Sequence, residues 1–236
     1  MKPTFLLSSK AWMAFAIAGV SAVILLSSCS KKNDPQPEPV GEAKVRYVNT
    51  VQGSSSQDFY ANATKLNTTA VAYGSASDYF AITSGANSFK FTNAGSTTAN
   101  AESQAFNIPI GVNASVFYYQ STGGQLGVFA VGDDMTAPAA GKAKVRFFYI
   151  NSFAGTNGTV SVSQVGQSTV LIPSLAYGDI GTTYNSVDPG AKFTLTVGGV
   201  LSPNVIDGGI VAGKNYTIWI DGTSNVNVTG HVIVQN

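Results

Sequence analysis

The string Ala43-Lys44-Val45-Arg46-Tyr47-Val48-Asn49 returns one hundred positions on as Ala143-Lys144-Val145-Arg146-Phe147, which runs into Phe148-Tyr149-Ile150-Asn151. Three further pairs keep the same order: AVAYGS from Ala70 with SLAYGD from Ser174, SGANSFKFT from Ser84 with PGAKFTLTV from Pro189, and GVNASVF from Gly111 with GKNYTIW from Gly213. Ordered matches at nearly constant separation mean internal duplication, so the chain must fold as two similar units. Each copy spans about 95 residues, within the size of one domain and large enough for its own core. The expected division is a first domain over 42–132, a linker over 133–141 within GDDMTAPAAG, and a second domain over 142–236.

Inside each copy the hydrophobic period is two. Ala43, Val45 and Tyr47 alternate with Lys44 and Arg46, and Ala143, Val145 and Phe147 alternate with Lys144 and Arg146, as in a strand with one buried and one solvated face. Further strands are expected over 57–61, 78–82, 88–92, 114–120 and 126–131, separated by Gly- and Asn-containing breaks such as TNAGS and STGGQ. No segment sustains a helical period. Six or seven short strands in about a hundred residues predict an all-β fold, two tandem immunoglobulin-like antiparallel β-sandwich domains.

The duplication also sorts faces. Val116 and Tyr118 align with Ile218 and Ile220, which suits a core; Ser115, Phe117 and Tyr119 align with Thr217, Trp219 and Asp221, a mixed set that suits solvent. Phe117, Tyr119 and Trp219 are therefore the candidate binding surface, a flat aromatic platform for sugar rings or a partner protein. The competing reading is that a loop or the other domain covers them. The recurring Tyr73-Gly74 and Tyr177-Gly178 read as packing tyrosines followed by turn glycines.

AKVRYVN, AKVRFFYIN, the QDFYAN strand, AYGS with AYGD, and the Asp-Asp to Ala-Pro-Ala-Ala-Gly-Lys-Ala run entering the second copy together resemble a known family. These are bacterial lipoproteins built from the domain of unknown function 4397, and the resemblance covers nearly everything from Ala43 onward. It implies export, lipid anchoring and β-sandwich modules, and it supplies no catalytic residue.

The beginning of the chain agrees with export. Lys2 and Lys10 flank an N-terminal segment, and residues 11–26 then run without charge, short of the roughly 18 to 20 residues of a spanning helix. Leu26-Ser27-Ser28-Cys29 resembles the bacterial lipobox, so residues 1–28 are expected to be a signal peptide and Cys29, the only cysteine, to carry lipid. A single thiol excludes disulfides and cysteine-ligated metals. Residues 29–41, with Pro35, Pro37 and Pro39 at alternate positions, read as an extended tether that lifts the following domain about 30 to 40 Å from the bilayer at roughly 3.1 Å per residue. Several acyl chains hold where one binds marginally, which makes the membrane an expected partner and the outer membrane the expected location, facing the cell surface or, as the alternative, the periplasm.

Removing Lys2 and Lys10 from 13 Lys+Arg leaves 11 against 12 Asp+Glu, a mature formal charge of 11 − 12 = −1. No basic patch is available to neutralise phosphates, so nucleic acid is not an expected partner. His231 is the sole histidine and sits in an apolar strand, TGHVIVQN; no nucleophile set, metal spacing or cofactor motif accompanies it, and it reads as structural. Asp133 and Asp134 are neighbours in the linker, with no acid placed across a cleft from them. The sequence therefore predicts no catalytic residue, no metal site and no cofactor. What remains is a lipid-anchored, non-catalytic binding module for glycan or protein, with an envelope spacer lacking its own ligand as the alternative.

Overall fold

The structure, a computed structural model, describes residues 39–151 and 158–236. The expected signal peptide, the lipid site Cys29 and all but the last residues of the tether lie outside the described residues. Residues 39–236 form one compact unit.

The first copy holds β1 (Glu42–Asn49), β2 (Gln57–Ala61), β3 (Thr64–Lys65), β4 (Phe80–Thr83), β5 (Gly85–Asn87), β6 (Phe89–Asn93), β7 (Ala99–Glu102), β8 (Phe106–Ile108), β9 (Asn113–Gln120) and β10 (Leu126–Gly132). The second holds β11 (Ala143–Tyr149), β12 (Val160–Gln164), β13 (Val170–Leu175), β14 (Asn185–Val187), β15 (Lys192–Val197), β16 (Val200–Asp207), β17 (Asn215–Ser224) and β18 (Asn227–Val234). The described residues contain no helix. One sheet of the first copy runs β10-β9-β1-β4 and the facing one β3-β2-β6-β7, with β5 and β8 pairing beside them; the second copy runs β14-β11-β17-β18 opposite β13-β12-β15-β16.

Pairing is antiparallel except at one place in each copy: β1 lies parallel to β9, and β11 parallel to β17, in matching register from Lys44↔Asn113 and Lys144↔Asn215. Parallel neighbours need a long crossover, and in each copy the strands of the opposite sheet supply it.

Period two delivers the core the sequence implies. Val45 and Tyr47 from β1, Phe59 from β2, Phe89 and Phe91 from β6, and Val116 and Tyr118 from β9 close the first core, where Tyr47 stacks on Phe59 at 4.6 Å between centroids. Val145, Phe147, Val160, Phe193, Leu195, Ile218 and Ile220 close the second. Each of these large side chains contributes about 1.5 to 3 kcal/mol by leaving water.

The opposite face of β1 is solvated at Glu42 and Lys44, but from Arg46 onward it is covered, as are the matching positions of β9, β11 and β17. Arg46 and Arg146 are 3% and 1% exposed, and Phe117 and Trp219 are 0% exposed, so the expected open aromatic platform is overturned for these two residues. The alternation holds, but the second face of each sheet meets the other copy instead of water. Val48, Phe117, Phe148, Ile150, Trp219 and Ile233, with Tyr73, Phe129, Val131 and Ile180 packed around them, form a third apolar cluster that joins the copies. Of the three expected surface aromatics only Tyr119 keeps partial exposure.

Candidate functional site

The seam between the copies is built from equivalent positions used twice. Arg46 on β1 donates Nε to Ser115 Oγ at 2.8 Å, and Arg146 on β11 donates Nε to Thr217 Oγ1 at 2.8 Å. Arg46 then reaches across to the carbonyl of Val234, and Arg146 to the carbonyl of Gly132; these residues end the last strand of each copy and pair with Tyr216 and Ala114. Each guanidinium is covered by a tyrosine ring, Tyr79 at 4.8 Å and Tyr184 at 4.9 Å. Such reciprocity is the hallmark of a two-fold interface, here realised within one chain.

At the centre the reciprocity breaks. Asp133, a linker residue by its place in the sequence, has a fully buried carboxylate. Its Oδ1 accepts from Arg146 Nη2 at 2.5 Å and Gln235 Nε2 at 2.7 Å, and its Oδ2 from Ser115 at 2.7 Å and Tyr79 at 2.6 Å. Gln235 occupies the position equivalent to Asp133. Two carboxylates in contact would repel there, whereas the amide donates to Asp133 and Thr217 and accepts from the Tyr184 hydroxyl at 2.6 Å. Arg146 is thus fully paired, but Arg46 Nη2 has no hydrogen-bond partner. Burial raises the Tyr79 pKa, with the Asp133 charge adding to it, and burial raises that of Tyr184, so both phenols remain donors at ordinary pH.

The two ends of the seam also differ. At one end Trp219 stacks on His231 with centroids 3.9 Å apart, and Tyr73 meets both rings edge-on. Tyr73 donates its hydroxyl to Asp221, whose Oδ2 lies 3.7 Å from His231 Nε2. His231, for which the sequence shows no partner, therefore belongs to a Tyr–Asp–His cluster drawn from both copies. Gly74, at φ +82°, passes so close that a Cβ would stand 3.1 Å from the imidazole.

At the other end the equivalent positions carry Phe117, Phe129, Tyr119 and Tyr177. Phe117 stacks on Phe129 at 4.9 Å, and Tyr119 meets Phe129 edge-on at 5.4 Å. The Tyr119 ring lies across Gly127, where a Cβ would come within 2.6 Å of it. Outside this wall opens a pocket of about 340 Å³ lined by Tyr119, Ser121, Phe129, Ile150, Tyr177, Gly178 and Ile180. Tyr177 donates to the Gln120 carbonyl at 3.3 Å, and burial, followed by the nearby Tyr119, raises its pKa. The structure brings Tyr119 to this pocket and sends Phe117 and Trp219 into the seam behind it. Sequence alone does not single out Phe129 or Tyr177 as binding residues, although the paired AYG motif marks Tyr177. No group of three or more His, Cys, Asp or Glu side chains able to hold a metal occurs among the described residues.

Residues 43–156 match the family model described as "Domain of unknown function (DUF4397)". That stretch is a DUF4397 domain. The match takes in nearly the whole first copy, the linker and β11, and so contains Arg46, Asp133 and Arg146, the charged residues at the centre of the seam. A search of curated proteins found no match. Among solved structures, the crystal structure of CBMbc (family CBM26) from Eubacterium rectale Amy13K in complex with maltoheptaose aligns over 83% of this chain and 96% of that one, at 14% identity and a TM-score of 0.24. A similarity at that level carries no argument about what this chain binds.

Proposed function

We propose that this chain is a non-catalytic glycan-binding module of the cell envelope. Lipid on Cys29 holds it to the outer membrane, the Pro-rich tether lifts it off the bilayer, and the pocket beside Tyr119 takes the ligand. The observation that carries this reading is the pocket itself: a concavity whose walls are aromatic and aliphatic, with a few hydroxyl-bearing side chains, Tyr119, Tyr177 and Ser121, among its lining. Ligand sites have this composition, and a volume of about 340 Å³ suits one sugar ring. The apolar face of a pyranose stacks on a tyrosine ring while its hydroxyls exchange hydrogen bonds with the phenols.

Glycan-array and pull-down measurements on the protein, beside Tyr119→Ala and Tyr177→Ala variants, test the proposal. Retention of a glycan that both variants lose, with little change in melting temperature, supports it. Capture of an envelope protein instead of a glycan reassigns the pocket to a protein's aromatic side chain. Unchanged retention in both variants removes the pocket from function and leaves the spacer role as the better account. Anchoring has its own test: Cys29→Ala should lose fatty-acid labelling and membrane retention together.

A further inference from the structure

The equivalence of Arg46 and Arg146 exposes a deficit. Two buried guanidinium groups share one buried carboxylate, Asp133, and the position where a second acid would restore the balance is the neutral Gln235. Arg146 gives Nη2 to Asp133 at 2.5 Å; the same nitrogen of Arg46 has no acceptor, and only its Nε approaches Asp133, at 3.8 Å. A buried cationic N–H group without an acceptor is costly, and native structures rarely leave one.

Arg46 lies in the wall of a cleft of about 570 Å³, bounded by residues 74–79 and 232–236. None of these residues lines the pocket beside Tyr119. The Ser75 hydroxyl and the Asn236 amide stand at its exposed margin, Tyr79 covers the guanidinium, and Asp78 is the one acidic side chain that lines it. One buried positive charge at the floor, with the Ser75 and Asn236 hydrogen-bonding groups and a single carboxylate, Asp78, around it, suits a ligand with one carboxylate and several hydroxyls.

We propose that this cleft binds the carboxylate of a sugar acid, which completes Arg46 as Asp133 completes Arg146. Arg46 is only 3% exposed, so the carboxylate seats at the floor, with the Tyr79 ring yielding to admit it. Asp78 opposes the ligand from the rim and sets the affinity below its limit.

Calorimetric titration of the full chain with glucuronate, glucose and acetate tests this. Glucuronate is expected to bind and raise the melting temperature, with affinity falling as salt rises. Glucose should not bind, and acetate should bind at least about tenfold more weakly, having one charge and no hydroxyls. Arg46→Gln should abolish glucuronate binding. Because that variant disturbs a buried network, Asp78→Asn gives a second measure on an exposed residue: it should tighten glucuronate binding by about threefold to tenfold through loss of one like charge. Equal binding of glucose and glucuronate, equal binding of acetate and glucuronate, or no change in Asp78→Asn would each overturn the proposal. Loss of glucuronate binding on Tyr119→Ala would do so too, by moving the ligand to the other pocket.

Discussion

At one end of the seam Trp219 and His231 stand where Phe117 and Phe129 stand at the other, and Asp221 stands where Tyr119 does. The larger indole and its stacked imidazole fill the first end and leave Tyr73 hydrogen-bonded beneath them. At the second end Phe117 and Phe129 stack on each other, Tyr119 stands edge-on to Phe129 in place of a carboxylate, and the pocket beside Tyr119 opens there. The same divergence runs through the charged centre, where Asp133 faces Gln235 and only one of two arginines is fully paired. A two-fold dimer of identical chains must put the same residue on both sides of its axis. Duplication inside one chain lifts that constraint, so a symmetric seam can hold an acid against an amide and a closed end against an open one.

The largest effects should come from the centre. Asp133→Ala is expected to cost about 3 to 5 kcal/mol in denaturant unfolding, because it strands Arg146 in a dry seam. Arg146→Met should cost nearly as much, and Arg46→Met distinctly less, since it leaves the Asp133–Arg146 pair intact. Equal losses from the two arginines would break the comparison. Next, Trp219→Phe should make the closed end resemble the open one. It should cost about 1 to 2 kcal/mol, less than a truncation to Ala, because the indole Nε1 it removes is buried without an acceptor.

At the position of Asp134, acid should act on one copy only. Burial opposes ionisation of Asp134, but hydrogen bonds from Lys144 and Thr136 outweigh it and hold its pKa at about 2. A carboxyl depressed from about 3.9 in the unfolded chain stabilises the fold above that pH and loses its contribution as pH falls toward 2. Asn236 takes the equivalent place in the second copy, and its side-chain amide cannot titrate. In an acid titration followed by amide exchange, the linker at Asp134, which Lys144 holds, should loosen between about pH 4 and 2 while the strand end at Asn215 does not. The smallest effect is local: Gly127→Ala should lift the Tyr119 ring, reshaping the pocket and weakening glycan retention at a stability cost of about 1 kcal/mol.

Much of the fold can be read from alternation alone. Val116, Tyr118, Ile218 and Ile220 are core residues as their spacing implies, and β2 begins and ends where expected. The other face cannot be assigned the same way, because a period of two says that the faces differ and nothing about what lies on the second. Phe117 and Trp219 look solvent-facing in the sequence for that reason. The clue lies in Arg46 and Arg146: a basic residue repeated at the same place in both copies, beside Ser115 and Thr217, belongs to a shared contact. Asp133 is hidden by its place in a linker, and the pocket depends on Tyr177 meeting Tyr119 and Phe129 of the other copy, which only the seam brings about.

The parallel pairing of β1 with β9 bears on how the protein resists being pulled. Tension entering through Pro39 runs along β1, whose six registered pairs with β9, from Lys44↔Asn113 to Asn49↔Tyr118, lie side by side across the pull. They are strained together and do not open in succession like a zip. Pulled against β9 itself, β1 must therefore shear as a whole strand before it comes away, which makes this parallel pairing a mechanical clamp.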